Sequence, residues 1–151
     1  MASFTVGQRK DPLVSFSFYV DIQGTVVGTF RECSGMGSET ELIETKESEK
    51  GKLTYMKVPG ALKWENISLK RGITDSMDIW KWRKQVEQGD IAGARKNGSV
   101  IMYDQTNTEI ARWNFTNGWP RKVSGPTFNA QANEIGVEEL EIVHEGIIRD
   151  H

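Results

Sequence analysis

One helix signal dominates the sequence, within a segment, residues 62–89, that also holds three of the five tryptophans. Thr74, Asp75 and Ser76 offer side-chain oxygens to the free amides of a helix N-terminus, and Gly89 offers the left-handed conformation that ends a helix. Elsewhere, 15 glycines and short runs of Val, Ile, Phe and Trp between turn residues favour strands. The chain is therefore predicted to be mainly β with one α-helix.

The predicted helix has apolar residues on two sides. At about 100° per residue, Ile79, Trp82 and Val86 share one face, whereas Met77 and Trp80 lie on another. A surface helix of a lone domain normally has one apolar stripe. Either both tryptophans sit in one thick core, or one face packs on the subunit's own body and the other on a neighbouring subunit.

Two hairpins are predicted from alternating apolar residues. Residues 14–21 pair with residues 25–33, and residues 99–103 pair with residues 109–116. Pro120 is predicted to break the strand after the second hairpin, because proline cannot donate to a sheet ladder.

The last predicted strand, residues 134–144, changes phase. Its apolar residues occupy positions 135 and 137 and then positions 140 and 142. A bulge near Glu138 and Glu139, or burial on both faces, would account for the change. The acidic cluster at Glu138, Glu139 and Glu141 is interpreted as interface charge.

Residues 39–52 are strongly charged and contain only two apolar anchors, Leu42 and Ile43. Such a segment cannot bury itself well alone and is predicted to project as a long loop or loose hairpin. It is either solvated or ordered against a neighbour. The candidate subunit-interface residues are Glu39, Glu41, Glu44, Lys50 and Lys52 from this segment, and Met77 and Trp80 from the helix.

The net charge of −2 conceals a segregation along the chain. Residues 1–51 carry 5 basic and 8 acidic residues, residues 52–122 carry 13 and 7, and residues 123–151 carry 1 and 6. This pattern is typical of solvated faces, and it also suits a basic surface that meets the acidic surface of another copy.

The sequence offers no catalytic set. His144 and His151 are its only histidines and Cys33 its only cysteine, so no zinc-binding spacing is present. The G-x-S-x-G pattern of a serine elbow is also absent. We predict no enzymatic activity, no cofactor and no metal site. A pI near 5.8 without a basic stripe speaks against nucleic-acid binding.

The length of 151 residues suits a single domain spanning residues 1–151, with a polar N-terminal arm at residues 1–12. A mean hydropathy of −0.51 and the lack of a run of roughly 20 apolar residues predict no membrane segment. The absence of a secretory signal and the single cysteine favour a reducing, cytoplasmic site of assembly.

The order and spacing of several short motifs resemble the tail-tube proteins of contractile phages and the inner-tube proteins of contractile injection systems. The resemblance covers about residues 13–148. Its main motifs are Cys33-Ser34-Gly35-Met36-Gly37, Lys57-Val58-Pro59-Gly60, Ile67-Ser68-Leu69-Lys70-Arg71-Gly72, Ile79-Trp80-Lys81-Trp82, Gly118-Trp119-Pro120 and His144-Glu145-Gly146.

This resemblance implies a β-barrel or sandwich of two packed antiparallel sheets with a flanking helix. It implies hexameric rings that stack into a hollow tube, with sheath protein outside and baseplate, spike and terminator proteins at the ends. The lumen would conduct DNA or protein cargo, and assembly would take place in the cytoplasm of a bacterial or archaeal producer. The family contributes no catalytic residues.

Two alternatives remain open at this point. The ring protein of type VI secretion shares the implied fold and acts as a cargo carrier, although the Lys57-Val58-Pro59-Gly60 and Trp119-Pro120 motifs favour the phage-tail branch. A monomeric β-barrel that binds a small ligand is the option without assembly. The sequence does not distinguish a phage from a cell-encoded injection system.

Overall fold

The computed structural model describes residues 16–23, 26–126 and 136–151. The predicted N-terminal arm at residues 1–12 lies outside this part of the chain, as do the first residues of the strands predicted at 14–21 and 134–144. The described elements, in chain order, are β1 (Ser17–Ile22), β2 (Val26–Phe30), β3 (Glu32–Ser34), β4 (Ser38–Glu49), β5 (Lys52–Trp64), β6 (Ile67–Gly72), α1 (Asp78–Glu87), α2 (Ile91–Ala94), β7 (Lys96–Tyr103), β8 (Glu109–Ser124), β9 (Val137–Val143) and β10 (Gly146–Arg149).

The main antiparallel sheet consists of two halves, and the long strand β8 belongs to both of them. The strand order is β2-β1-β7-β8-β9-β6-β3, and β10 also pairs with β8. The first part of β8 pairs with β7 and β10, and residues 119–124 pair with β9. The mainly β prediction and the expectation of packed antiparallel sheets are confirmed, although the described residues do not form a closed barrel.

The sheet bends round so that its two end strands meet. Strands β2 and β3 are separated by Arg31 alone, yet they lie at opposite ends of the strand order. The Arg31 amide donates to the carbonyl oxygen of Lys70 on β6 at 2.9 Å. The single strand predicted over residues 25–33 is therefore split at Arg31, because the chain passes there from one half to the other.

Strand β8 changes partner near Asn117 and Gly118. Asn117 adopts a left-handed φ of 51°. Gly118 is buried, and a Cβ there would lie 2.5 Å from Cε2 of Phe115. The break predicted at Pro120 is wrong, since β8 continues to Ser124. The pairing with β9 shifts register beside Pro120, where the ladder is already irregular.

The core lies between the two halves and under α1. Ile79 and Trp82 of α1 are buried there. The sheet residues that accompany them in the core are Val20, Ile22, Phe30, Ile67, Leu69, Val100, Phe115, Leu140, Ile142 and Ile147. The face that the sequence assigned to the subunit's own body therefore packs on the sheets.

The helix boundaries differ from the prediction at the start and agree at the end. Helix α1 begins at Asp78, and its N-cap residue, Met77, makes no side-chain cap. Thr74 accepts from the Ser76 amide ahead of the helix, and Ser76 accepts from the amide of Asp78, the first helical residue. Gly89 has a φ of +87°, as expected of a residue that ends a helix. A second helix, the single turn α2, was not expected, and the Asp90 side chain accepts from its Gly93 amide at 3.0 Å.

Of the two explanations for the phase change in the last strand, burial on both faces fits β9, because Val137 and its same-face neighbours are partly buried whereas Leu140 and Ile142 are fully buried. Strand β9 pairs with β6 without a register shift, so the bulge predicted near Glu138 and Glu139 does not form. Glu138, Leu140 and Ile142 all point inward, and Glu138 is only 5% exposed because Arg71 pairs with it. Glu139 and Glu141 lie on the opposite, outer face, so the three glutamates do not form one cluster.

Candidate functional site

Strands β4 and β5 form a long two-stranded hairpin, called the projecting hairpin below (residues 38–64). The strands contain 12 and 13 residues and extend over roughly 40 Å at about 3.3 Å per residue. Lys50 and Gly51 make the two-residue turn with φ values of 54° and 74°. Positive φ at both positions matches the twist of the flanking strands. The segment predicted to project, residues 39–52, therefore comprises the first strand and the turn of a longer hairpin.

The projecting hairpin carries exposed apolar side chains on both faces. The register places Leu42, Leu53 and Tyr55 on one face, with exposed fractions of 58%, 58% and 55%. The other face carries Ile43, Met56 and Val58, which are 46%, 47% and 39% exposed. A two-stranded ribbon has no interior in which to bury them, and no strand among residues 16–23, 26–126 and 136–151 pairs with either outer edge.

Sequence inspection missed most of these residues, although a signal was present. Apolar residues occur as adjacent pairs, Leu42 with Ile43 and Tyr55 with Met56. In a strand, neighbours point to opposite faces, so such pairs indicate a ribbon that is apolar on two sides.

The two strands of the projecting hairpin carry opposite charge. Strand β4 has five glutamates and one lysine, whereas β5 has three lysines and no acidic residue. Three Glu-Lys pairs face each other across the ladder: Glu39 with Lys63, Glu44 with Lys57 and Glu49 with Lys52. The ion pairs found in the described residues include none within this hairpin. Its charges are thus available to another surface.

The predicted interface residues occupy two regions. Glu39, Glu41 and Glu44 lie on β4, with Lys50 in the turn and Lys52 at the start of β5, and all five are exposed. The other two residues belong to the start of α1. Met77 is 57% exposed. Trp80 is only partly exposed, and its Nε1 donates to Oε1 of Glu138 at 2.9 Å. The role of these seven residues at a subunit interface stays a prediction.

The root of the projecting hairpin is held by the backbone on both sides. Gly35 has a φ of +80°, and a Cβ at this position would collide with the carbonyl oxygen of Asn66. Just beyond it, the Glu65 amide donates to the carbonyl oxygen of Gly37 at 3.1 Å. These contacts bring the two ends of the hairpin together where it leaves the body.

His144 lies at the same root. Its Nε2 lies 3.0 Å from the carbonyl oxygen of Glu65, and its Nδ1 accepts from the Gly146 amide at 3.1 Å. Burial lowers the pKa of His144 from its usual value of 6.5. The imidazole is engaged in structure at both nitrogens and is not free for proton transfer.

A buried polar network fixes α1 to the sheet. Arg71 is 4% exposed, and its guanidinium pairs with Glu138 at 3.2 Å and with Asp78 at 2.7 Å. Burial acts to raise the pKa of Asp78, but hydrogen bonds from Arg71, Ser76 and the Ile79 amide together lower it. The carboxylate therefore stays charged and anchors the first turn of the helix.

The remaining chemistry is sparse. Burial raises the pKa of the Cys33 thiol to about 12, so it is not a nucleophile at neutral pH. Within residues 16–23, 26–126 and 136–151, no group of three or more His, Cys, Asp or Glu side chains is placed to hold a metal ion. In the same residues, neither helix has the length and apolar character needed to cross a membrane.

A comparison with protein families decides the identity. The profile of the T4-like virus tail tube protein gp19 matches residues 14–148. The chain belongs to this tail tube family. A sequence comparison with curated proteins finds no match. Membership makes this a structural tube protein.

Solved structures share the fold of this tail tube family member. One is a chain of the PVC sheath-tube complex of an extracellular contractile injection system in the extended state, 21% identical, with a TM-score of 0.75 and coverage of 99% of this chain and 97% of that chain. A chain of the anti-feeding prophage tube-terminating cap is 24% identical, with a TM-score of 0.70 and coverage of 88% and 87%. Hcp1 from Flavobacterium johnsoniae is 15% identical, with a TM-score of 0.55 and coverage of 89% and 94%.

Proposed function

We propose that this chain, as one domain spanning residues 1–151, is the subunit of the hollow inner tube of a contractile phage tail or contractile injection system. Six copies form a ring, and rings stack into a tube that is driven through the target envelope. Family membership supports this function. The observation that carries it is the projecting hairpin, whose two apolar faces and two free edges need cover that the described residues of its own chain do not provide.

The partners proposed for the tube are sheath protein outside, terminator and baseplate or spike proteins at its ends, and DNA or protein cargo in the lumen. The similar structures support the first two, because one is a sheath-tube complex and another a tube-terminating cap. Assembly takes place in the producer's cytoplasm, and the subunit has no catalytic role. The type VI alternative is less favoured, since Hcp1 has the lower TM-score, 0.55 against 0.75.

The contact between copies is proposed to involve the exposed residues of the projecting hairpin together with Met77 and Trp80. Five of these, Glu39, Glu41, Glu44, Lys50 and Lys52, supply charge. Leu42, Leu53 and Tyr55 supply apolar area, which stabilises contact by about 25 cal/mol per Å² removed from water.

The test removes apolar side chains from the projecting hairpin and leaves the core of the subunit unchanged. A double variant, Leu42→Ser with Leu53→Ser, is compared with the control Thr40→Ser with Thr45→Ser on the same strand pair. We expect both variants to melt at the wild-type temperature, and only the first to lose rings and tubes in electron microscopy and sedimentation. Normal tubes from the Leu42→Ser, Leu53→Ser variant, or a wild type that is monomeric under every condition, would refute the proposal.

A further inference from the structure

His144 connects the projecting hairpin to the body through two backbone groups. Glu65, which accepts at 3.0 Å, directly follows the last residue of β5, and Gly146, which donates at 3.1 Å, is the first residue of β10. One side chain thus ties the end of the hairpin to the turn between β9 and β10.

Only the neutral imidazole can make both bonds. The Gly146 N–H points at Nδ1, so Nδ1 must present a lone pair and Nε2 must carry the hydrogen that Glu65 accepts. In the imidazolium ion both nitrogens carry hydrogen. Protonation would therefore set the Nδ1 hydrogen against the Gly146 hydrogen and break that side of the connection.

The surroundings offer little compensation for a positive charge. The residue is 7% exposed and lies between the rings of Trp64 and Phe115, with centroids 6.0 and 6.2 Å away. These tilted rings are at the limit of useful cation–π distance.

The carboxylates on the packed elements are engaged elsewhere or point away. Glu145 accepts from Asn117, and Glu141 accepts from Asn66 and Arg121. The Glu65 carboxylate lies against Gly37. In the described part of the chain, none of these carboxylates contacts the imidazole.

We propose that His144 is a pH-sensitive latch at the root of the projecting hairpin, closed when neutral and released on protonation. Because burial lowers the pKa of His144 below 6.5, the latch contributes fully above that pH and is lost as the pH falls through the lower folded value. Because the proposed function assigns assembly to the hairpin, tube formation becomes acid-sensitive.

The first experiment reads the imidazole directly and does not depend on assembly. The variant His151→Gln leaves His144 as the only histidine, so ¹⁵N NMR at increasing acidity reports one ring. We expect the Nε2–H tautomer at pH 7.5 and a titration midpoint below that of a histidine peptide. The Nδ1–H tautomer, or a midpoint at or above the peptide value, would overturn the latch.

The second experiment connects the latch to assembly. Sedimentation from pH 7.5 to 5 is compared for wild type, the control His151→Gln, and His144→Gln, which cannot charge. Each unit below the midpoint raises the charged-to-neutral ratio about tenfold, so wild type and control should lose tubes steeply and His144→Gln should not. Equal profiles for all three would overturn the latch. If no variant assembles at any pH, the proposed function fails instead, and the NMR result alone decides the latch.

Discussion

Arg71 and Glu138 form an ion pair inside the sheet, with Nε of Arg71 3.2 Å from Oε2 of Glu138 although 67 residues separate them in sequence. The same guanidinium reaches Asp78, and the same carboxylate accepts from Trp80. Four residues from β6, α1 and β9 therefore share one network, which sets how the helix lies on the sheet.

Removing one partner of this network should destabilise the subunit strongly. We expect Arg71→Met to lower the free energy of unfolding by about 3–5 kcal/mol, because it leaves Glu138 buried without its partner. The control Lys70→Met breaks the ion pair of Lys70 with Glu32, which is about half exposed and has Nζ 3.8 Å from Oε2. Such an exposed pair contributes about 0–1 kcal/mol to stability. Urea unfolding of both variants measures the difference. Similar losses would mean that the network is not the anchor of α1.

The two tryptophans of α1 should respond differently to truncation. Trp82 is 1% exposed and its Nε1 donates to the Ala94 carbonyl at 2.8 Å, so Trp82→Ala should cost about 3–5 kcal/mol and lower the melting temperature of the isolated subunit. Trp80 is partly exposed, so Trp80→Ala should cost less stability and, if a neighbour covers it, impair assembly. Calorimetry of the monomer and sedimentation of the polymer separate these effects. Equal losses of monomer stability would contradict the division of roles.

Gly35 and Gly51 allow a matched test of the hairpin root. Both have positive φ, at 80° and 74°, so alanine adds similar backbone strain of about 1–2 kcal/mol at each. Only at Gly35 would the new Cβ meet backbone, the Asn66 carbonyl; at Gly51 nothing lies within 4 Å. We expect Gly35→Ala to lower the melting temperature clearly more than Gly51→Ala. The same shift for both would show that the root can relax.

Contact between copies should weaken with salt. The unpaired glutamates of β4 and lysines of β5 contribute about 0–1 kcal/mol each as exposed pairs, but identical contacts recur in every copy of a polymer. Ionic strength of 1 M shortens the screening length to about 3 Å. Polymerisation followed by light scattering should therefore slow as salt rises. Faster polymerisation in salt would show that the apolar faces dominate.

Alternation and turn residues were enough to predict the strand content and the two body hairpins. They gave wrong predictions where a residue's orientation or pairing depends on a partner that is distant in the sequence. Glu138 occupies an inward-facing position of β9 because Arg71 of β6 pairs with it there. Arg71 is 67 residues away in the sequence, so the neighbours of Glu138 do not reveal this partner. Pro120 was interpreted as a break because the change of pairing partner within β8 is a property of the whole sheet.

The sequence predicted the charged residues of the candidate site but not most of its exposed apolar residues. Glu39 to Lys52 could be assigned to a projection because it lacks a buried face. The predicted projection ends at Lys52 and leaves out the second strand of the hairpin, in which Leu53, Tyr55 and Val58 are residue types typical of a strand with a buried face. Their exposure follows from the two-stranded pairing of β4 and β5, to which no other described strand is added, and this pairing cannot be recognised from the local sequence.

Strand β8 belongs to both halves of the sheet and turns from one to the other at Asn117 and Gly118. A shear force that slides one half past the other must therefore stretch covalent backbone as well as hydrogen bonds. A component pushed end-on through an envelope carries compressive load, and this shared strand passes part of that load between the halves through covalent backbone. Mechanical stiffness is thus built into the connectivity of the subunit.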